Sequence, residues 1–192
     1  MSRNFDILEK ETPEKVPPGI RRPAEFRGLI HRLFHGHSAA AFIGPGSDSP
    51  TSEACWELAR ELAVDGNRVV IVDVDRMLHV TPLPGPSACS PGLASNVWIW
   101  PSGADASIES LPSAPSGESD WLISLRKAFD AVLLDCPALE TEPAAAEIAA
   151  RADAGVLVVE AGHSKKKQIR QDERALERRG VNLVGCILMR RR

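Results

Sequence analysis

The segment from Phe42 to Asp75, FIGPGSDSPTSEACWELARELAVDGNRVVIVDVD, constrains the fold more than any other part of the chain. It reads as an apolar strand, a glycine-containing loop, an amphipathic helix and a second strand that ends in aspartates. Ser49 and Pro50 predict the helix start as N-cap and first-turn proline, and Gly66 predicts its end. The second strand is almost continuously apolar, which is typical of a parallel strand covered by helices on both faces. The segment therefore predicts a parallel βαβ unit.

The same alternation of strands and helices continues through the rest of the chain. Strands are predicted near 38–43, 68–73, 130–135, 154–160 and 181–188, with a short one at NVWIWPS, and residues 76–94 and 103–117 are predicted to be loops. We expect an α/β fold with a doubly wound, mainly parallel sheet. Residues 1–21 are predicted to be a flexible leader, and residues 22–192 a single domain that opens with a helix over Pro23–Phe34.

Composition narrows the classes of function. A formal net charge of −3 and a pI near 6.0 give no overall attraction to nucleic acid. The four cysteines stand at no metal-ligand spacing, so we read them as reduced thiols. No apolar run approaches the about 20 residues needed to cross a bilayer, so we expect no direct membrane insertion. These features predict a cytoplasmic protein.

The ordered set of a P-loop-like segment, VVIVDVD, NVWIWPSG, FDAVLLDCPA and ADAGVLVVEAG resembles the cytosolic ATPase domain of bacterial tyrosine kinases for polysaccharide export. That family is grouped with the deviant-Walker ATPases, which include cell-division and chromosome-partitioning proteins. The resemblance covers about residues 22–189 and implies a P-loop NTPase-like three-layer sandwich. It also implies a site for ATP and Mg²⁺ at the carboxyl ends of the strands.

The P-loop itself departs from the family pattern P-G-E-G-K-S. Counting back from the helix end places Ser52 at the family serine, Thr51 at the lysine and Pro50 at the second glycine, in a loop two residues longer than the pattern. Together with Gly46, these residues form the predicted but degenerate nucleotide-binding loop. The lysine that neutralises phosphates is missing, and proline has no N–H to donate to them. We therefore expect ATP and Mg²⁺ to bind weakly or not at all.

The acidic positions are better preserved. The resemblance implies a water-activating Asp73 and a catalytic, magnesium-coordinating Asp135, with Ser52 and Asp75 as further Mg²⁺ ligands if nucleotide binds. The alternative is that Asp73 and Asp135 only cap strands or helix starts.

The sequence contains no tyrosine, so these 192 residues cannot become phosphorylated on tyrosine as family members do. We interpret the chain as a degenerate kinase-like protein that acts as a cytosolic regulator or scaffold in exopolysaccharide assembly. The expected partner is a membrane chain-length protein, a polysaccharide co-polymerase, which would bring the chain to the inner membrane. Self-association into a homo-oligomer is a further expectation. The alternatives are an active ATPase or protein kinase with an unusual P-loop, and a partitioning-type ATPase relative.

Overall fold

The computed structural model describes residues 28, 33–34, 38–47, 49–79, 89–92, 94–101 and 120–190. Its strands are β1 (Ala39–Ile43), β2 (Val69–Asp73), β3 (Ser90–Pro91), β4 (Val97–Trp100), β5 (Ala131–Cys136), β6 (Ala154–Glu160) and β7 (Leu183–Met189). The helices with both ends among the described residues are α1 (Thr51–Val64), α2 (Val74–His79), α3 (Trp121–Ala128), α4 (Ala145–Ala149) and α5 (Lys166–Arg178). Among the described residues, no helix combines the length and the apolar character needed to span a bilayer.

The strands form one seven-stranded sheet in the order β3-β4-β2-β5-β1-β6-β7. Every neighbouring pair is parallel except β3 and β4. The two apolar strands VVIVD and AVLLDC lie side by side, with Val69 opposite Ala131 and Asp73 opposite Asp135. The predicted doubly wound, mainly parallel sheet is confirmed.

Alternate residues of the central strands enter two separate cores. On one face, the α1 residues Cys55 and Leu58 pack against Phe42 and Leu133. On the other face, strand residues such as Leu134 pack against α2, α3, α4 and α5. Helices therefore cover both faces of the sheet, which explains why its central strands lack polar positions.

A stack of side chains closes one end of the second core. Trp100, at the end of β4, is fully buried and stacks on Trp121 with ring centroids 5.4 Å apart. The Arg151 guanidinium lies over the Trp121 ring, 5.2 Å from its centroid, and pairs with Asp120. Asp120 caps α3 by accepting a hydrogen bond from the Leu122 N–H at 3.0 Å. The stack joins β4 to the start of α3.

The structure corrects the loop predicted at 76–94. Residues Val74–His79 form α2, and Ser90–Pro91 form a short antiparallel strand, whereas residues 80–88 and 93 lie outside the described residues. The predicted loop at 103–117 and the leader at 1–21 lie wholly outside them. Of the predicted first helix, residues 28, 33 and 34 are described, and they are helical.

Candidate functional site

A pocket of about 260 Å³ opens at the carboxyl ends of β1, β2 and β5. In doubly wound sheets this edge is where ligands bind. The pocket is lined by loop, strand-end and helix residues, namely Gly46, Ser47, Ser49, Thr51, Ser52, Asp73, Asp75, Asp135, Cys136, Pro137 and Ala138.

The loop before α1 is hydrogen-bonded to itself. The Thr51 N–H donates to the Ser49 carbonyl oxygen at 2.8 Å, and the Ser49 N–H donates to the Gly46 carbonyl oxygen at 3.0 Å. Pro50 between them has φ −79° and ψ 46°, close to the values of an inverse γ-turn. A P-loop offers such amides to phosphate, but here the amides of Ser49 and Thr51 are already engaged and Pro50 has none.

Ser49 does not cap α1 as the sequence predicted. The N-cap residue is Pro50, and no side-chain hydrogen bond caps the helix. A Cβ atom added to Gly44 would lie 2.1 Å from the Ser49 Cβ atom and 2.8 Å from the Thr51 Oγ1 atom. The Ser49 side chain therefore folds back over Gly44, and the tight γ-turn delays the helix to Thr51.

The residue at the family lysine position does not reach into solvent. Thr51 is 6% exposed, and its hydroxyl packs beside Gly44. Ser52 is exposed, and its hydroxyl donates a hydrogen bond to the Asp135 carboxylate. The first turn of α1 thus directs a hydroxyl, and no positive charge, towards the pocket.

Asp135 is the most perturbed acid of the site. Its burial raises the pKa to about 6, and the nearby Asp73 carboxylate adds to this, while the hydrogen bond from Ser52 opposes it. Asp73 and Asp135 are register partners on adjacent parallel strands, so their side chains leave the sheet side by side. The predicted pair is thus brought together.

Asp73 also has a structural role. Its Oδ1 atom accepts the Arg76 N–H at 2.9 Å, in the manner of a helix cap on α2. Its Oδ2 atom lies 3.7 Å from the Arg76 Nε atom. Asp75 is largely exposed, and its carboxylate lies 3.7 Å from His79 Nε2. Asp73 therefore caps α2, while Asp135 has no such role in the described contacts.

The charges of the pocket fit a cation better than a nucleotide. Among the described residues, three carboxylates and no basic side chain line it, so a triphosphate would meet repulsion where P-loops place a lysine. Mg²⁺ accepts one or two carboxylates together with hydroxyl groups and waters, and Asp135 with Ser52 supplies such a pair. Over the described ranges, no cluster of three or more His, Cys, Asp or Glu side chains could hold a metal ion.

Most of the site residues predicted from the sequence line the pocket. Gly46, Thr51, Ser52 and all three aspartates line the pocket, whereas Pro50 is not among the lining residues. The residues that the prediction missed are Ser47, Ser49, Cys136, Pro137 and Ala138. The last three directly follow or end β5, so the rule that ligands meet strand ends could have found them.

Comparison with known proteins bears on the fold and on the resemblance found in the sequence. No protein-family model matches the chain. The chain is 26% identical over 160 residues to the tyrosine-protein kinase CpsD of Streptococcus pneumoniae serotype 4, covering 76% of this chain and 70% of that protein. The structure is similar to the BceF tyrosine kinase domain, with a TM-score of 0.63 and 24% identity over 86% of this chain and 76% of the other.

A more distant structural neighbour is cobyrinic acid a,c-diamide synthase from Mycobacterium smegmatis, solved with ADP and magnesium bound. Its TM-score is 0.53 at 15% identity, over 79% of this chain and 73% of that one. These likenesses confirm the P-loop fold and the resemblance to bacterial tyrosine kinases.

Proposed function

Because this P-loop domain resembles bacterial tyrosine kinases, we propose that it no longer transfers phosphoryl groups and acts as a regulator or scaffold in exopolysaccharide assembly. The observation that carries the proposal is the self-bonded loop at Ser49–Thr51, which presents no lysine and no free amide from those residues. The polysaccharide role itself follows from the family resemblance.

The energetic consequence is large for a nucleotide. A charge-assisted hydrogen bond contributes about 1.5–3 kcal/mol, so the missing lysine alone weakens binding by roughly one to two orders of magnitude. The occupied Thr51 amide and the three carboxylates weaken it further. We expect a dissociation constant for ATP with Mg²⁺ above roughly 100 µM.

Calorimetric titration with ATP and Mg²⁺ tests this expectation directly. The variant Thr51→Lys serves as the sharper probe, because the γ-turn at Pro50 would persist and the new side chain would start from a buried position. We expect this variant to gain less than tenfold in affinity. Micromolar binding by the unaltered chain, or full rescue by Thr51→Lys alone, would mean that the loop opens for phosphate and that the proposal is wrong.

One observation favours a second candidate, a working ATPase with an unusual P-loop. Asp73 and Asp135 lie side by side, and Ser52 is hydrogen-bonded to Asp135, so carboxylate and hydroxyl oxygens of the kind that Mg²⁺ accepts meet in the pocket. The variant Asp73→Ala with Asp135→Ala separates the two candidates. If it folds normally yet abolishes polymer production, the ATPase is the correct function.

The scaffold needs a docking surface, and α5 offers a cationic one. Lys165, Lys166 and Lys167 are exposed at its start, while Leu176 on its inner face is fully buried. We propose that this end of α5 meets an acidic cytosolic segment of a membrane polysaccharide co-polymerase, and such contacts weaken as salt rises.

Pull-down of that membrane protein tests the docking surface. Replacing the three lysines with glutamine should reduce capture several-fold at physiological salt, because rim charges steer association. A control with Arg60→Gln and Lys127→Gln neutralises exposed cations on other helices and should leave capture unchanged. Equal losses in the two variants would show a nonspecific charge effect and contradict the proposed surface.

A further inference from the structure

The two edges of the sheet are built differently. β3 forms one edge with two residues, one of them Pro91, and short or proline-containing edges resist pairing with other strands. β7 forms the other edge with seven residues, LVGCILM, which contain no charge and no proline. Within the described part of the chain, no strand pairs with the outer side of β7. The sequence of β3 therefore protects its edge against further pairing, and the sequence of β7 provides no such protection.

The backbone of β7 offers regular hydrogen-bonding groups at this edge. The Met189 carbonyl oxygen accepts the Ala161 N–H at 2.8 Å and so points towards β6. Peptide groups alternate along a strand, so those of Ile187 also point inwards, while those of Cys186 and Leu188 point to the open side. The register shift near Gly185 leaves the following residues, through Met189, regular.

The side chains on the same two residues are apolar and exposed. Leu188 is 49% exposed, and Cys186 is also exposed. Their register partners on β6 are Val159 and Leu157, so both side chains lie on one face of the sheet. An apolar strip beside outward-pointing backbone donors and acceptors is a template for adding a further strand.

We propose that β7 pairs with β7 of a second copy, antiparallel and with the two-fold axis at Ile187. Cys186 of each copy then lies opposite Leu188 of the other, and the peptide groups of both residues meet partners across the axis. The pairing joins the two exposed apolar strips on one face. A two-fold axis brings like residues near each other, and the uncharged β7 carries nothing that such symmetry would repel.

The expected dimer is weak. Two paired strands bury less than the about 800 Å² per partner that is typical of stable complexes, so we expect a dissociation constant on the order of 10 µM. The inference is independent of the proposed function, since it involves neither the pocket nor the basic start of α5.

The natural cysteines of the chain allow a first test by chemical cross-linking. The chain has four cysteines, of which Cys55, Cys89 and Cys136 are buried and Cys186 is exposed. In the proposed register the two Cys186 residues are diagonal neighbours, about 7–8 Å apart, within reach of a short bis-maleimide. We expect a covalent dimer whose yield rises with protein concentration and disappears in Cys186→Ser. No cross-linked dimer, or one that survives Cys186→Ser, would overturn the proposal.

Two matched double variants test the register by sedimentation velocity. Cys186→Glu with Leu188→Lys places opposite charges across the axis and should keep the dimer, whereas Cys186→Lys with Leu188→Lys places like charges there and should shift the dissociation constant at least tenfold. Both variants lose the same apolar surface. Val64→Lys, at a 79% exposed position of α1, should leave dimerisation unchanged. A monomer at all concentrations, or equal behaviour of the two double variants, would contradict the antiparallel pairing.

Discussion

Asp135→Asn should stabilise the protein by about 3 kcal/mol at pH 7, which is an unusual sign for a substitution in a pocket. Burial, followed by the Asp73 charge, raises the Asp135 pKa from 3.8 to about 6, so the folded protein ionises this group at a cost that the unfolded chain does not bear. Asparagine keeps the shape and can still accept the Ser52 hydrogen bond. Acids that are poised in this way are typical of functional sites.

The pH dependence follows from the sign of that shift. Well below the unfolded pKa of 3.8 the Asp135 carboxyl is protonated in both states and costs nothing, and the penalty grows until the pH passes about 6. The gain from Asp135→Asn, measured by urea unfolding, should therefore be full at pH 7, shrink as the pH falls through 6, and vanish at about pH 3. A gain that does not depend on pH would show that ionisation is not its cause.

Asp130→Asn is the matched control at the residue just before β5. There the side-chain hydrogen bond from Arg68, followed by the bond from the Arg68 N–H, lowers the Asp130 pKa. A lowered pKa stabilises the fold above the ordinary value near 3.8 and loses that contribution as the pH falls. Asp130→Asn should accordingly destabilise modestly at pH 7.

Trp100→Ala should lower the free energy of unfolding by about 3–5 kcal/mol, the range for removing a large buried aromatic side chain. Trp100 is 0% exposed and stacks on Trp121 at an interplanar angle of 15°. The change therefore opens a cavity and removes the packing partner of Trp121 at the start of α3. For a chain of this size, the melting temperature should fall by about 6–20 °C.

Trp98→Ala is the comparison for that loss. Trp98 lies on the same strand, is half-buried and packs on Phe129 at a tilted angle. Removing it should cost less than half as much in urea unfolding, because less apolar surface returns to water. Equal losses would mean that burial at β4 does not set the energetics of this end of the core.

The sheet was predictable because its central strands have the continuous apolar sequences of strands that are buried on both faces. VVIVD has no polar residue before its final Asp73, and AVLLDC has none before its penultimate Asp135; such runs are typical of a parallel sheet between helix layers. The helix Val74–His79 was not predictable in the same way. It is six residues long and is started by a cap from Asp73, and a helix this short has too few turns to show a period.

Sequence spacing also identified the acids of the pocket but misjudged the loop. Asp73 is the last residue of β2 and Asp135 is the last but one of β5. These strands are neighbours in the parallel sheet, so the two side chains meet at the same edge. The pattern Ser49–Pro50 predicted an ordinary capped helix start, which depends only on local preference. The actual γ-turn depends on Gly44, whose missing side chain admits Ser49, and that contact between β1 and the loop cannot be read from helix signals.

The γ-turn at Pro50 has a consequence for how the cell could set this protein's output. A loop that supplies its own hydrogen bonds holds its shape without a ligand, so a domain of the proposed kind would not alternate between nucleotide-bound and nucleotide-free shapes. A domain of the proposed kind would instead be governed by its copy number relative to its partner, and gene dosage would act as its control.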